Sequence, residues 1–163
     1  MLLLSCIFGD TRMCMASDSD TYDLFITHAW RFHDDWNRIS TVLDGVAGFR
    51  WRNFSVPWYD PAMDPNTPVG GRFVREWLES QILPSQAVLF LDSVYAIKSA
   101  RKWLDTEVEM ARAAGKPIIA LPAYGAIGVT ETVAAMADLV VSWEGIVVAR
   151  SIAAACQKSS APA

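Results

Sequence analysis

The chain has 163 residues, 52% of them apolar and 20% charged, and a formal net charge of −4. That length can bury one core of ordinary size, and the composition excludes a disordered chain. The acidic balance, with Lys and Arg scattered, argues against a general nucleic-acid binder. Three cysteines without a C-x-x-C pair, and only two histidines, leave neither a disulfide framework nor a structural zinc site; reduced thiols in a cytoplasmic protein are the simplest reading.

Met1-Leu-Leu-Leu-Ser-Cys-Ile-Phe8 is apolar but too short to span a bilayer, and it lacks the basic start of a signal peptide. Residues 1–20 read as a loose extension and not as an anchor. From Tyr22 onward apolar runs alternate with helical patterns. Tyr22-Asp-Leu-Phe-Ile-Thr27 reads as a buried strand, and Arg31 to Leu43 as a helix with Trp36, Ile39 and Leu43 on one face. Phe49 to Val56 alternates aromatic and basic residues, the pattern of an edge or half-exposed strand. A Pro-, Asp- and Asn-rich loop, Pro57 to Pro68, precedes a helix from Gly71 to Leu83.

Ala87-Val-Leu-Phe-Leu91 is a continuous apolar run, as in a strand covered on both faces. A helix over Ser99 to Ala111 follows, closed by Gly115 and Pro117. Pro117-Ile-Ile-Ala-Leu121 reads as another buried strand, Thr130 as the cap of a short helix ending near Ala137, Leu139 to Ser142 as a last strand and Ile146 to Cys156 as a last helix. Lys158 to Ala163 reads as a frayed end. Five strands alternating with helices predict one α/β domain over residues 21–157, a flavodoxin-like three-layer open parallel sheet of order 2-1-3-4-5. Ligands in such sheets bind beyond the carboxyl ends of strands one and three, where the winding reverses. Those ends are Thr27-His-Ala-Trp30 and Asp92-Ser-Val-Tyr95.

Within the helix after strand three, a turn of about 100° per residue puts Leu104, Val108 and Ala111 on a narrow apolar stripe. Arg101, Lys102, Asp105, Glu109 and Arg112 fall to one side of it. Glu107 falls to the other, next to Trp103 and Met110. A carboxylate held against an indole at the margin of a core loses solvent, and its pKa rises; the plainer alternative is a boundary Glu whose stem packs on Trp103 while its head reaches water. His28 after strand one is either a hydrogen-bonding residue or part of a site. With Trp30, Tyr95 and Ser99 on the same or the opposing loop, the residue types suit a planar cationic heterocycle. No P-loop, G-x-G-x-x-G fingerprint or G-x-S-x-G elbow occurs. A response-regulator receiver would need an acidic cluster at the exit of strand one and a Lys after strand four, where Pro122-Ala-Tyr124 stands instead.

Phe25-Ile-Thr-His-Ala-Trp30 resembles the F-[IV]-[ST]-H-[SA]-[WY] opening of the TIR-like domain of Thoeris antiphage-defence proteins of the ThsB type. Phe49-Arg-Trp-Arg-Asn-Phe-Ser-Val-Pro57 resembles that family's second strand. Trp103-x-x-x-Glu107 with Gly115-Lys-Pro-Ile-Ile119 resembles its third helix and fourth strand, and Ala137-Asp-Leu-Val-Val-Ser-Trp143 its closing strand. Thr27 replaces the Ser of many relatives and keeps the hydroxyl. The resemblance, which runs from about Tyr22 to Ala155, implies an enzyme that cleaves NAD+ at the nicotinamide–ribose bond. Its product would be a cyclic ADP-ribose-type signal for a separate effector. It also implies a phage trigger, self-association on activation, NAD+ as substrate with no other cofactor or metal, and no nucleic-acid or membrane partner. Glu107 would be catalytic, and His28, Trp30, Tyr95, Ser99 and Trp103 would bind substrate. A non-catalytic TIR-like interaction module is the alternative, and a nucleoside deoxyribosyltransferase-like enzyme a third reading.

Overall fold

A computed structural model describes residues 21–29, 34–55 and 64–159. The expected extension over residues 1–20, Trp30, the first three residues of the expected first helix and most of the Pro-rich loop lie outside the described residues. Five parallel strands form one sheet in the order β2-β1-β3-β4-β5: β1 (Thr21–Ile26), β2 (Arg50–Asn53), β3 (Ala87–Leu91), β4 (Ile118–Leu121) and β5 (Leu139–Val140). The expected order is the observed one. Every residue of β3 and β4 is buried, which is why these strands read as unbroken apolar runs, whereas β2 is mostly exposed at the sheet edge. Leu24 pairs with Ala87, and Val88 with Ile118. Phe49 leads into β2 by stacking on Tyr22, ring centroids 5.1 Å apart.

The helices are α1 (Asp34–Asp44), α2 (Pro68–Ile82), α3 (Asp92–Tyr95), α4 (Arg101–Ala113), α5 (Glu131–Met136) and α6 (Gly145–Ser159). Parallel crossovers are right-handed, so reversal of the winding at β1 puts α1 on one face of the sheet and α2, α4 and α5 on the other. The packing of α1 on α6 and of α2 on α4 follows that division. Caps set the ends. Thr67 accepts from the Gly70 amide ahead of Pro68 at the first helical turn, and Thr130 from the Val133 amide. Gly115 at φ +64° closes α4 in a Schellman arrangement, with Lys116 N–H donating to Ala111 and Gly115 N–H to Arg112.

Three local expectations differ. The segment after β3 is not an open loop: Asp92–Tyr95 makes one helical turn, with the Ala96 amide donating to the Asp92 carbonyl. β5 is only two residues long, although the Val141 amide still donates to Ala120. The last helix runs past Cys156 through Lys158 to Ser159, whose hydroxyl donates to Gly115, so the first two residues of the expected frayed end are helical, and the rest of it lies outside the described residues. Among the described residues no helix is long and apolar enough to cross a membrane.

Candidate functional site between β1, α2 and α4

β1 leads directly into the site. Thr27 is fully buried, and its hydroxyl accepts from the Leu91 amide at 2.9 Å, tying the carboxyl ends of β1 and β3 together. His28 follows, also buried, with Nδ1 at 3.3 Å from the Ile26 carbonyl. A carbonyl can only accept, so Nδ1 carries the proton and Nε2 is left with an open lone pair. Burial pulls the His28 pKa down from 6.5 to about 4, with the Ile26 carbonyl opposing it in part, so the ring is neutral at pH 7.

α4 supplies the acid. Its buried positions are Leu104, Glu107, Val108, Met110 and Ala111, so the apolar stripe is broader than the expected one and has Glu107 inside it. Glu107 is 2% exposed, and its Oε2 makes no hydrogen bond among the described residues. Burial raises its pKa well above the ordinary value. The boundary reading, with the head group reaching water, does not hold, because α2 packs over that flank of α4. Most buried polar atoms in folded proteins are paired, and burial favours the protonated form of a carboxyl that is not.

His28, Ala29, Val74, Trp77, Leu78, Ala100, Trp103 and Glu107 enclose a cavity of about 20 Å³. That is room for one water. His28 meets the Trp77 indole edge-on, with centroids 6.4 Å apart. The structure therefore brings together three of the expected site residues, His28, Trp103 and Glu107. Tyr95 and Ser99 do not line the cavity. The Tyr95 hydroxyl donates to Asp105 at 3.1 Å, and its carbonyl accepts from Arg101, which also lies over the ring, so this side chain fastens the start of α4. Ser99 is exposed in the turn before α4. Burial and the Asp105 bond push the Tyr95 pKa up.

The wall from α2 was missing from the sequence reading of the site. Val74, Trp77 and Leu78 fall at the i, i+3, i+4 spacing of one helical face, a sufficient sign that they share a surface. No local pattern says that this surface covers Glu107. The Trp103 ring reaches the start of α2, where a Cβ on Gly71 would stand 3.9 Å from it, at ordinary van der Waals distance.

The other acids near the sheet ends are occupied. Asp92 accepts from the Thr130 hydroxyl at 2.8 Å, and Asp23 forms a two-pronged pair with Arg52 at 2.6 and 2.8 Å at the amino end of β1. No acidic cluster of the receiver kind forms at the exit of β1 among the described residues. Nor do three or more His, Cys, Asp or Glu side chains gather there as a set of metal ligands. No protein-family model and no curated protein matches the chain.

Proposed function

We propose that the protein is a TIR-like enzyme of antiphage defence that cleaves NAD+ at the nicotinamide–ribose bond and makes a cyclic ADP-ribose-type signalling nucleotide. The observation that carries the reading is the buried Glu107 carboxyl, whose Oε2 makes no hydrogen bond among the described residues, in a cavity lined also by His28 and Trp103, on the Trp-x-x-x-Glu spacing of the family it resembles. A carboxyl in such a place is costly to the fold and is the kind of group that active sites retain.

The chemistry follows from the substrate. The glycosidic bond breaks, its electron pair goes to the nicotinamide nitrogen, and the ring leaves neutral. The ribose carbon becomes cationic, and a carboxylate aligned with it stabilises that charge. A hydroxyl or ring atom of the same ADP-ribose then attacks and closes the cycle; water would give plain ADP-ribose. Burial disfavours ionisation of Glu107 in the empty site. A cationic ring beside it favours that ionisation, because an opposite charge lowers a carboxyl pKa. His28 Nε2 accepts from a ribose hydroxyl. The uncapped start of α4, with Arg101 and Lys102 in its first turn and Ala100 in the cavity wall, suits the diphosphate. An active site of this kind works in the cytoplasm on a diffusible nucleotide, with self-association as its switch.

The test is nicotinamide release from NAD+, measured with and without phage lysate, for the wild type and Glu107→Gln. The expected result is at least a hundredfold loss in the variant with its fold intact. No turnover in either protein leaves the non-catalytic interaction module as the reading, and equal turnover in the two removes Glu107 from the reaction and overturns the mechanism.

A further inference from the structure

A second opening lies at the other end of the sheet from the His28 and Glu107 cavity. It is a groove of about 520 Å³ between the end of α4, the turn into β4, the start of β5 and α6. Ligand sites commonly span about 300–1,000 Å³. Three cations from three elements line it, Arg112 on α4, Lys116 in the turn and Lys158 on α6, against one carboxylate, Asp138. That is a local excess of two positive charges on a chain whose net charge is −4. Neither lysine is in an ion pair among the described residues. Like charges gathered in one place repel, and an anion among them relieves that repulsion.

The walls are fastened to one another. Arg112 Nη2 donates to the Ala135 and Met136 carbonyls at 3.0 and 3.1 Å. These bonds hold the guanidinium and leave Nε and Nη1 unbonded among the described residues. The Ser159 hydroxyl donates to the Gly115 carbonyl at 3.1 Å and joins the end of α6 to the turn. Asp138 Oδ2 accepts from the Ile118 amide at 2.8 Å, which fixes the carboxylate and leaves Oδ1 as an acceptor. The turn itself is open, since a Cβ on Gly115 would meet nothing within 4 Å. Leu139, 42% exposed, and Pro117 add an apolar side.

The geometry points to this groove as a binding site for a nucleoside phosphate, with the phosphates on Arg112, Lys116 and Lys158, a ribose or base donor on Asp138, and the base along Leu139 and Pro117. A held guanidinium and two ammonium groups match phosphate oxygens. A bare phosphate would leave most of the groove unfilled and would be repelled by Asp138, whereas ribose hydroxyls and a base amino group donate to a carboxylate. Ligands of open parallel sheets sit beyond the carboxyl ends of the strands at the winding reversal. This groove lies at the amino ends of β4 and β5, so it is separate from the Glu107 site and stands whether or not Glu107 cleaves NAD+.

The probe is ADP, with binding measured by calorimetric titration of the full chain at low ionic strength, where exposed charges are least screened. Saturable binding is expected, weakened about tenfold by Lys158→Glu and by Lys116→Gln and unchanged by Glu107→Gln. Inorganic pyrophosphate, without ribose or base, and adenosine, without phosphate, should each bind at least about tenfold more weakly than ADP. On the wild type, whose fold is not in question, ADP should move the amide NMR signals of Gly115, Leu139 and Ala154. The proposal is overturned by no saturable binding of ADP, by lysine variants that bind it as the wild type does, by pyrophosphate binding as tightly as ADP, or by shifts confined to Ala29 and Ala100 beside Glu107.

Discussion

Glu107 and His28 are both buried, and burial disfavours the charged form of each, yet they titrate in opposite senses. Glu107 has its folded pKa raised above the ordinary 4.5, so the native state holds that proton more tightly than the unfolded chain. Its contribution to stability is complete below 4.5 and is lost as pH rises towards the folded value. His28 is depressed from 6.5 to about 4, so its contribution is present above 6.5 and is lost as pH falls to 4. Each limit is about 1.4 kcal/mol per pH unit. Urea unfolding of the wild type relative to Glu107→Gln should therefore show a falling difference from about pH 4.5 upward. Relative to His28→Gln, the wild type should gain between pH 4 and 6.5 and stay level above. A wild type parallel to Glu107→Gln across the range would mean that the carboxyl is solvated. Thr27 tests the neighbouring hydroxyl. Thr27→Val keeps the shape but leaves the Leu91 amide without its acceptor, at a cost of about 1–3 kcal/mol, read from the denaturation midpoint; Thr27→Ser keeps that bond.

The helix carrying Glu107 was legible to within two residues at each end, because its apolar spacing, Gly115 and Pro117 are local signals. Its partner across the cavity was not. α2 begins at Pro68, three residues before the expected Gly71, because the Thr67 side chain and Pro68 together supply an N-terminus. Gly70 then lies so close to the preceding loop that a Cβ would stand 2.0 Å from the Asp64 carbonyl oxygen. Gly70→Ala should force that loop or the first turn of α2 aside and cost about 1–3 kcal/mol, where an unhindered helical Gly→Ala would stabilise by up to about 1 kcal/mol. Thermal unfolding gives the sign, and a stabilised variant would show the approach to be looser than it is drawn. α3 escaped the sequence reading because four residues are too few to show a helical period.

The two faces of the sheet have separate tasks. α2 and α4 enclose the cavity on one, while α1 and α6 pack on the other. Cys156 is buried in α6, and burial pushes its thiol up to about 11, far from a reactive thiolate at neutral pH. It should therefore report on the whole fold. With labelling by a thiol reagent mapped to the Cys156 peptide, modification at pH 7.5 should be negligible in the native protein and should appear with the global unfolding transition. Ready labelling without denaturant would place α6 among the locally opening elements.

The sequence by itself determined the class of the molecule. Strand runs buried on both faces, helical stripes and caps are written in neighbouring residues, and right-handed crossover restricts how such elements can be ordered; the 2-1-3-4-5 sheet follows from them. It also marked Glu107, Trp103 and His28 as unusual. Only the tertiary structure decided that Glu107 is buried with its Oε2 unbonded among the described residues, that Tyr95 fastens the start of α4 outside the cavity lining, and that α2 supplies a wall of Val74, Trp77 and Leu78. The physical reason is range. A helix's own periodicity tells which side of it is apolar, but burial of the flank beyond that stripe depends on a second helix about thirty residues earlier in the chain, and only packing brings the two together.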